Sequence, residues 1–393
     1  MTNRSDPARR QPWPQSASRP VATPLQPSVV YASQSPDALD AQYEGRASCY
    51  TYAREGHPNA DVLARAIDAM EGAEGGLVTG SGMAAVTAAL LGSLRAGDHV
   101  LGGDQLYGRS LRLMAEELPR LGIETSLADP TSVAAIEAAL RPHTRMVLIE
   151  TVSNPTIRVA DLGGIARLCT ARGILLAVDN TFTTPRACQP LAHGADIVIH
   201  SVTKLLAGHS DATLGYVAAK DPRIADRMRV LAVTMGLTPS PFDCWLAERG
   251  LLSFDLRYDR AEANAKALAD ALAETKGVTR VLYPARFDHP DHNTAAALLG
   301  PRGSHMVSFV IEGGRAQTNA LVEAADGINF APTLGDIGTT LSHPATSSHR
   351  ALSVEERAAI GIGEGFFRVS VGCEDAGFLI DQFRTAIGAA TAV

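Results

Sequence analysis

The sequence predicts an α/β protein built on a mostly parallel sheet covered by helices, followed by a smaller α+β unit. Three observations carry this. Short β-branched or apolar runs alternate with helix-length segments from about residue 77 to residue 218, the signature of repeated αβ units. Each run closes on a polar cluster, at residues 104–107, 150–154, 179–181 and 201–204, so groups scattered through the chain converge on one sheet edge. At 393 residues, 46% hydrophobic and 20% charged, the chain can bury a large core. A length this far beyond ~250–300 residues implies more than one domain.

Composition excludes some functions. The formal charge of −7 is spread without long single-sign runs, which argues against a nucleic-acid footprint or a basic membrane face and for a small-molecule ligand. The five cysteines, Cys49, Cys169, Cys188, Cys244 and Cys373, are scattered with no CxxC pair, as expected of a reducing cytoplasm. Neither an apolar signal core nor a run of ~18 uncharged apolar residues is found, so a soluble, unexported protein is expected.

Residues 1–25 carry five prolines among Arg, Gln and Ser and read as a mobile arm. Residues 29–58 alternate aromatic and polar groups without clear periodicity, as in a segment that orders against a partner. A helix over 61–70 would bury Val62, Ala66, Ala69 and Met70, with Asn59 as its cap. Strand 77–79 then meets Gly80-Ser81-Gly82-Met83 and an Ala-rich helix to residue 94. Such a junction aims free N–H groups and a positive helix end forward, although a plain tight turn has the same glycines. Strands follow at 99–101, 123–127, 145–149, 174–178, 196–200 and 214–218, with helices at 110–121, 133–140, 161–171, 222–235 and 243–274. The Ala-rich stretch 256–276 is expected to carry the chain out of the first domain. Beyond it, strands 306–311 and 367–371 and helices 316–325 and 375–389 form the smaller unit. The domains are thus expected at 1–60 (arm), 61–255 and 256–393.

The stretch that concentrates the chemistry is Ser201-Val202-Thr203-Lys204, just past the strand at 196–200. Ligands of open α/β sheets bind at strand carboxyl ends, and a partly desolvated lysine there has an amine free to form a Schiff base. Ser201 and Thr203 would offer hydroxyls to an anion. On these residues alone, a solvated loop lysine beside ordinary turn hydroxyls is the competing reading.

The chain also resembles a known family over roughly residues 45–390. The matching motifs are Tyr52-Ala53-Arg54, Ser81-Gly82-Met83-Ala84-Ala85, Leu106-Tyr107-Gly108, Glu150-Thr151-Val152-Ser153-Asn154-Pro155, Val178-Asp179-Asn180-Thr181-Phe182, Ser201-Val202-Thr203-Lys204, Arg249-Gly250-Leu251, His343-Pro344-Ala345 and Arg368-Val369-Ser370-Val371-Gly372. They resemble the pyridoxal-phosphate enzymes of transsulfuration: cystathionine γ-synthase, cystathionine and methionine lyases, and homoserine-ester sulfhydrylases. The resemblance implies the aspartate-aminotransferase-like fold (fold type I) around a mostly parallel seven-stranded sheet. It also implies a homotetramer built as a dimer of dimers, and pyridoxal 5'-phosphate as cofactor.

Residue by residue, the resemblance implies that Lys204 holds the cofactor and moves protons and that Asp179 faces the pyridine nitrogen. Tyr107 would stack on the ring and act as acid or base. Ser81, Gly82, Met83, Ser201 and Thr203 would hold the phosphate, with Tyr52 and Arg54 reaching it from the neighbouring subunit. Arg368 would fork onto the substrate carboxylate, helped by Asn154 and Thr333. Some positions depart from the family pattern: Arg109 follows Tyr-Gly, where a bulky cation would reshape the pocket or bind a substrate acid, Gly338 stands where many lyases have glutamate, and His57 stands where asparagine is usual.

The expected activity is elimination or replacement on sulfur amino acids, a carbon–sulfur γ-lyase first. A γ-synthase or a sulfhydrylase is the alternative, and a cystathionine β-lyase ranks below. Two further readings are a non-catalytic binder of the same fold and a metal hydrolase using Asp288, His289, Asp291 and His292; otherwise no metal is expected.

Overall fold

The computed structural model describes residue 14, residues 16–350 and residues 352–393. Strands β1 (Leu77–Thr79), β2 (His99–Gly103), β3 (Glu124–Ala128), β4 (Thr144–Glu150), β5 (Leu175–Asp179), β6 (Ile197–His200) and β7 (Gly215–Ala219) form one sheet in the order β1-β7-β6-β5-β4-β2-β3. Neighbours from β6 through β5, β4 and β2 to β3 are parallel; β7 runs antiparallel to both β1 and β6. Val198, Val178 and Val147 face one apolar layer, and Ile197, Ile199, Ala177 and Leu148 the other. Burial on both faces explains why these strands read as continuous apolar runs. The second sheet contains β8 (Val278–Leu282), β9 (Met306–Ile311), β10 (Asn329–Phe330), β11 (Thr340–Ser342) and β12 (Phe366–Ser370), ordered β10-β11-β12-β9-β8.

The helix Phe254–Ala273 joins the two units. Its Phe254 and Tyr258 lie in the large core, whereas Ala265, Leu268, Ala269 and Leu272 lie in the core of the smaller unit. The expected change of unit at residue 256 is therefore a change along one helix.

Several local expectations are corrected. The helix expected at 61–70 spans Pro58–Glu71, and its cap is His57, not Asn59. His57 Nδ1 accepts from the Ala60 amide at 3.1 Å and Nε2 faces the Pro239 carbonyl at 3.2 Å. A neutral imidazole can thus do the capping work of asparagine. The buried stripe is Leu63, Ala64 and Ile67 rather than the expected Val62, Ala66, Ala69 and Met70. Asn59 is instead buried against the arm, accepting from the Gln26 amide and donating to the Pro24 carbonyl, each at 3.0 Å.

Residues 1–13 and 15 of the expected mobile arm lie outside the described residues. The arm from Thr23 onward is held by its own chain, with Trp245 Nε1 donating to the Thr23 carbonyl at 2.8 Å. Residues 36–43, expected to lack regular structure, form the helix Pro36–Tyr43, capped by Ser35 and with no buried residue. The metal-hydrolase reading fails because its four side chains serve the fold. Asp288 pairs with Arg286, His289 Nε2 meets the Ile157 carbonyl at 2.9 Å, Asp291 pairs with Arg158 at 2.6 Å, and His292 meets the Arg286 carbonyl.

Candidate functional site

The carboxyl ends of β4, β5 and β6 bring the polar clusters together, because parallel strands in register place consecutive cluster residues side by side. Glu150 pairs directly with Asp179 across β4 and β5, and Asp179 with Ile199 across β5 and β6. Lys204 follows β6 in a tight turn, with its amide donating to the Ser201 carbonyl at 3.1 Å and its carbonyl accepting from Gly208 at 2.9 Å. Burial pushes the Lys204 ammonium's pKa down, and the nearby Arg368 charge pushes it further. A lysine so placed holds a larger share of nucleophilic amine than a solvated one.

Two contacts clamp the Lys204 turn. From one side comes Arg257, only 4% exposed, whose guanidinium donates to the carbonyls of Leu205 (2.8 Å), Leu206 (3.1 Å) and Gly250 (2.9 Å). From the other comes Gly335, at φ +81, so close that an added Cβ would lie 2.3 Å from the Leu205 nitrogen. Ile337 fastens the same loop by donating its amide to the Gly208 carbonyl at 2.8 Å.

Beside the turn, a chain of donors fixes Asp179. The Ser201 amide donates to Thr181 Oγ1 at 2.9 Å, which leaves the Thr181 proton for Asp179 Oδ1 at 2.5 Å; the Thr181 amide adds a bond at 3.0 Å to the same oxygen. Burial raises the Asp179 pKa against these donors and the neighbouring His200 charge. Glu150 accepts from the Tyr107 amide at 2.5 Å, and Tyr107 presents its side chain at the sheet edge, 41% exposed.

The helix Gly82–Ser93 starts over this cluster. An added Cβ on Gly82 would sit 2.7 Å from Ser201 Cβ, so only glycine lets the helix end approach the strand end so closely. The amides of Gly82 and Met83, first in the helix, have no intrahelical acceptor. Ser81 caps the helix by accepting from Ala84 at 3.1 Å, which keeps its own proton free. The Thr203 hydroxyl donates to the Leu214 carbonyl at 3.0 Å and accepts from the Leu214 amide at 2.9 Å, so its proton is already engaged.

Arg368, 4% exposed, extends from β12. It donates to Asn154 Oδ1 and to the Thr333 carbonyl, each at 2.7 Å. Thr333 thus meets Arg368 through its backbone and not its hydroxyl. Arg368 Nε is buried without a partner among the described residues, and burial lowers the guanidinium's pKa to about 10. Such an orphaned charged donor is costly unless a ligand completes it.

Three expected residues stand outside this cluster. Arg109 is exposed on the short helix Gly108–Arg112. Tyr52 and Arg54 are exposed and stacked on each other, the guanidinium carbon 5.2 Å from the ring centroid. Residues that sequence reasoning missed include Arg257 and Glu374. Arg257 was detectable as a cation on the apolar stripe formed with Phe254, Tyr258, Ala261 and Ala265. Glu374 takes the Thr339 hydroxyl and Asp336 takes the Ser210 hydroxyl; neither carries a sequence signal of that pairing.

The assembled groups fit a flat, phosphorylated aldehyde. An amine of lowered pKa, a carboxylate with one oxygen anchored, an aromatic side chain and a glycine-floored anion cradle all lie along one edge. The chain matches the profile of the Cys/Met metabolism PLP-dependent enzymes over residues 8–388. It is 37% identical to the cystathionine β-lyase of Bacillus subtilis, over 93% of this chain and 91% of that protein. With an L-methionine γ-lyase of Pseudomonas putida the identity is 35%, over 94% and 91%. A solved cystathionine γ-synthase from Xanthomonas oryzae, in complex with aminoacrylate and cysteine, superposes with a TM-score of 0.89 at 35% identity, covering 95% of this chain and 94% of that one. Fold, cofactor and family therefore agree: the chain belongs to the pyridoxal-phosphate-dependent enzymes of cysteine and methionine metabolism.

Proposed function

We propose that the enzyme eliminates the sulfur group from Cγ of a sulfur amino acid, consuming one water and releasing a thiol, 2-oxobutyrate and ammonia. The observation that carries an α-amino acid as substrate is the orphaned, buried Nε–H of Arg368 next to the Lys204 amine, and membership of the cysteine and methionine family favours one with sulfur. Together they offer a docking point for an α-carboxylate and a base at the neighbouring carbon.

The roles follow from the geometry. Pyridoxal phosphate, when bound, supplies an electron sink for charge developing at the substrate's Cα. Lys204 would hold the cofactor and then, as a free amine, take the Cα proton and return protons along the chain. Asp179 would hold the ring nitrogen protonated through its unanchored oxygen. Tyr107 would cover the ring and act as the phenol beside the leaving sulfur. The anion cradle would comprise Ser81, Gly82, Met83 and Ser201, with Thr203 joining only by turning its proton away from Leu214. Asn154 would hold Arg368 in line for the carboxylate, and the Thr333 carbonyl would fix its other arm. The exposed Tyr52 and Arg54 suit a phosphate site on a neighbouring copy, which favours a homotetramer of paired subunits. The five unpaired cysteines suit a reducing, cytoplasmic setting.

Gamma-replacement, as in cystathionine γ-synthase or a homoserine-ester sulfhydrylase, is the second reading. Arg109, an exposed cation two residues after Tyr107, suits a substrate with an acid at its far end, which would select cystathionine or O-succinylhomoserine over methionine and O-acetylhomoserine under either reaction. The test incubates pure enzyme with cystathionine, methionine, and O-acetyl- and O-succinylhomoserine, with and without a thiol, beside Arg109→Gly. Release of 2-oxobutyrate and ammonia from the sulfur substrates supports the γ-lyase. Its absence from every substrate sinks that reading, and thioether formation from the esters moves the assignment to replacement.

A further inference from the structure

We infer that Glu150 and Asp179 hold one proton between them, that it resides on Glu150, and that neutral Glu150 is a positioning residue for both Tyr107 and the charge on Asp179. The inference rests on the proposed reading only in giving Asp179 the ring nitrogen.

The two carboxyls end adjacent parallel strands as direct register partners, so their side chains leave the same face of the sheet about one strand spacing, ~4.8 Å, apart. Two ionised carboxylates at that separation in a partly desolvated site repel strongly, and such a pair titrates as a unit in which the first proton is retained. The surroundings decide where it stays. Asp179 takes two donors on one oxygen and faces His200, whose ring is paired with the buried Glu71. The Thr181 proton cannot turn elsewhere, because the Ser201 amide occupies the other side of that hydroxyl. Glu150 receives amides alone, from Tyr107 and Asn154, and the charge acting on it is Asp179 itself. The charges that act on the two carboxyls are Asp179 on Glu150 and His200 on Asp179, while Lys204 faces Arg368, and Asp104 faces Asp129 and Arg158. A single pyridinium balances one carboxylate and not two.

In its neutral form Glu150 still accepts the Tyr107 amide, which sets the start of the Gly108–Arg112 helix and so the place of the phenol. It does this without adding a second negative charge beside Asp179.

The proton is visible without turnover. In infrared difference spectra of the cofactor-free enzyme at pH 7, wild type minus Glu150→Gln should show the C=O stretch of a carboxylic acid. Linkage supplies a second readout. A carboxyl whose pKa is raised by folding keeps its proton while the unfolded chain loses it, so wild type loses stability as pH rises from the unfolded carboxyl pKa to the folded one. The Glu150→Gln protein lacks this loss, so its melting temperature relative to wild type should climb across that window and then level off. Among holoenzymes, Glu150→Gln should recover at least about tenfold of the kcat lost in Glu150→Ala, a difference in ΔG‡ of about 1.4 kcal/mol. A missing carboxylic-acid band, or a Glu150→Gln enzyme as impaired as Glu150→Ala, overturns the inference. If the band is present while no sulfur amino acid is turned over, the proton assignment stands and the proposed reaction alone falls.

Discussion

Replacing Arg257 by methionine should loosen the Lys204 turn and destabilise the fold together. The side chain fits the space roughly but removes four hydrogen bonds, to the carbonyls of Leu205, Leu206 and Gly250 and to Ser253 Oγ, and it leaves the Leu205 and Leu206 carbonyls without a donor, since the Gly250 carbonyl keeps the Ser253 amide. Each buried carbonyl left without a donor costs about 1–3 kcal/mol. Removing the cation also removes its own desolvation penalty, visible in the burial that lowers its pKa. Two carbonyls without donors, offset in part by that penalty, should leave a net loss of about 2–4 kcal/mol. Arg257→Lys, which keeps the charge but cannot fork onto three carbonyls, should lie between. Denaturant titration of the cofactor-free protein measures the stability, and, on the role proposed for Lys204, the fraction of cofactor trapped by borohydride measures how well that amine is presented. If Arg257→Met unfolds within about 0.5 kcal/mol of wild type, as an unconstrained surface change would, and traps cofactor equally, the clamp argument is wrong.

Other expectations concern separate parts of the molecule. Arg368→Lys swaps a planar fork for a point charge, leaving Asn154 or Thr333 without its donor. Steady-state kinetics should show kcat/KM reduced about 10–100-fold, equivalent to one charged hydrogen bond of about 1.5–3 kcal/mol. Gly335→Ala must fit a Cβ at φ +81 and 2.3 Å from the Leu205 nitrogen. Its visible cofactor band should shift or weaken at neutral pH, and an unchanged spectrum would show that the loop yields freely. His99, buried between Thr144 and Ser126 at 2.8 Å from each hydroxyl, has its pKa pushed down to about 4 by burial and by Arg141. Its stabilising effect is complete above the unfolded pKa of about 6.5 and is lost as pH falls toward the folded value, at a limiting slope of about 1.4 kcal/mol per pH unit. His99→Gln should flatten the unfolding midpoint by that amount between pH 6 and 4, with activity at neutral pH as the control.

The parts of this architecture legible in the sequence are those governed by local pattern. The strands at Ile197–His200 and Met306–Ile311 announce themselves through continuous β-branched and apolar residues buried on both faces. The strand-end clusters followed from alternation alone, and so did the place of Lys204. The short strands Asn329–Phe330 and Thr340–Ser342 were not legible, since pairing rather than composition makes them strands. The helix Pro58–Glu71 was recognised with its buried face misjudged. Alanines dilute its stripe, and Leu63 and Ile67 face a core that only tertiary contact defines. Thr203 shows a further limit: its residue type suggests a hydroxyl donor, but the bond it makes to the Leu214 carbonyl is set by tertiary position.

The Lys204 turn is shared property. Arg257 holds it from the linking helix, and Gly335 presses on it from the loop that also supplies the Thr333 carbonyl to Arg368. Redesign of this enzyme cannot treat residues 333–340 as a detachable loop. Grafting that loop from a relative would shift the backbone that presses on the Lys204 turn in the same stroke, so a chimera would inherit an altered setting for the Lys204 amine along with its new loop. Libraries that vary the loop together with Arg257 and the residues facing it would search the two properties jointly.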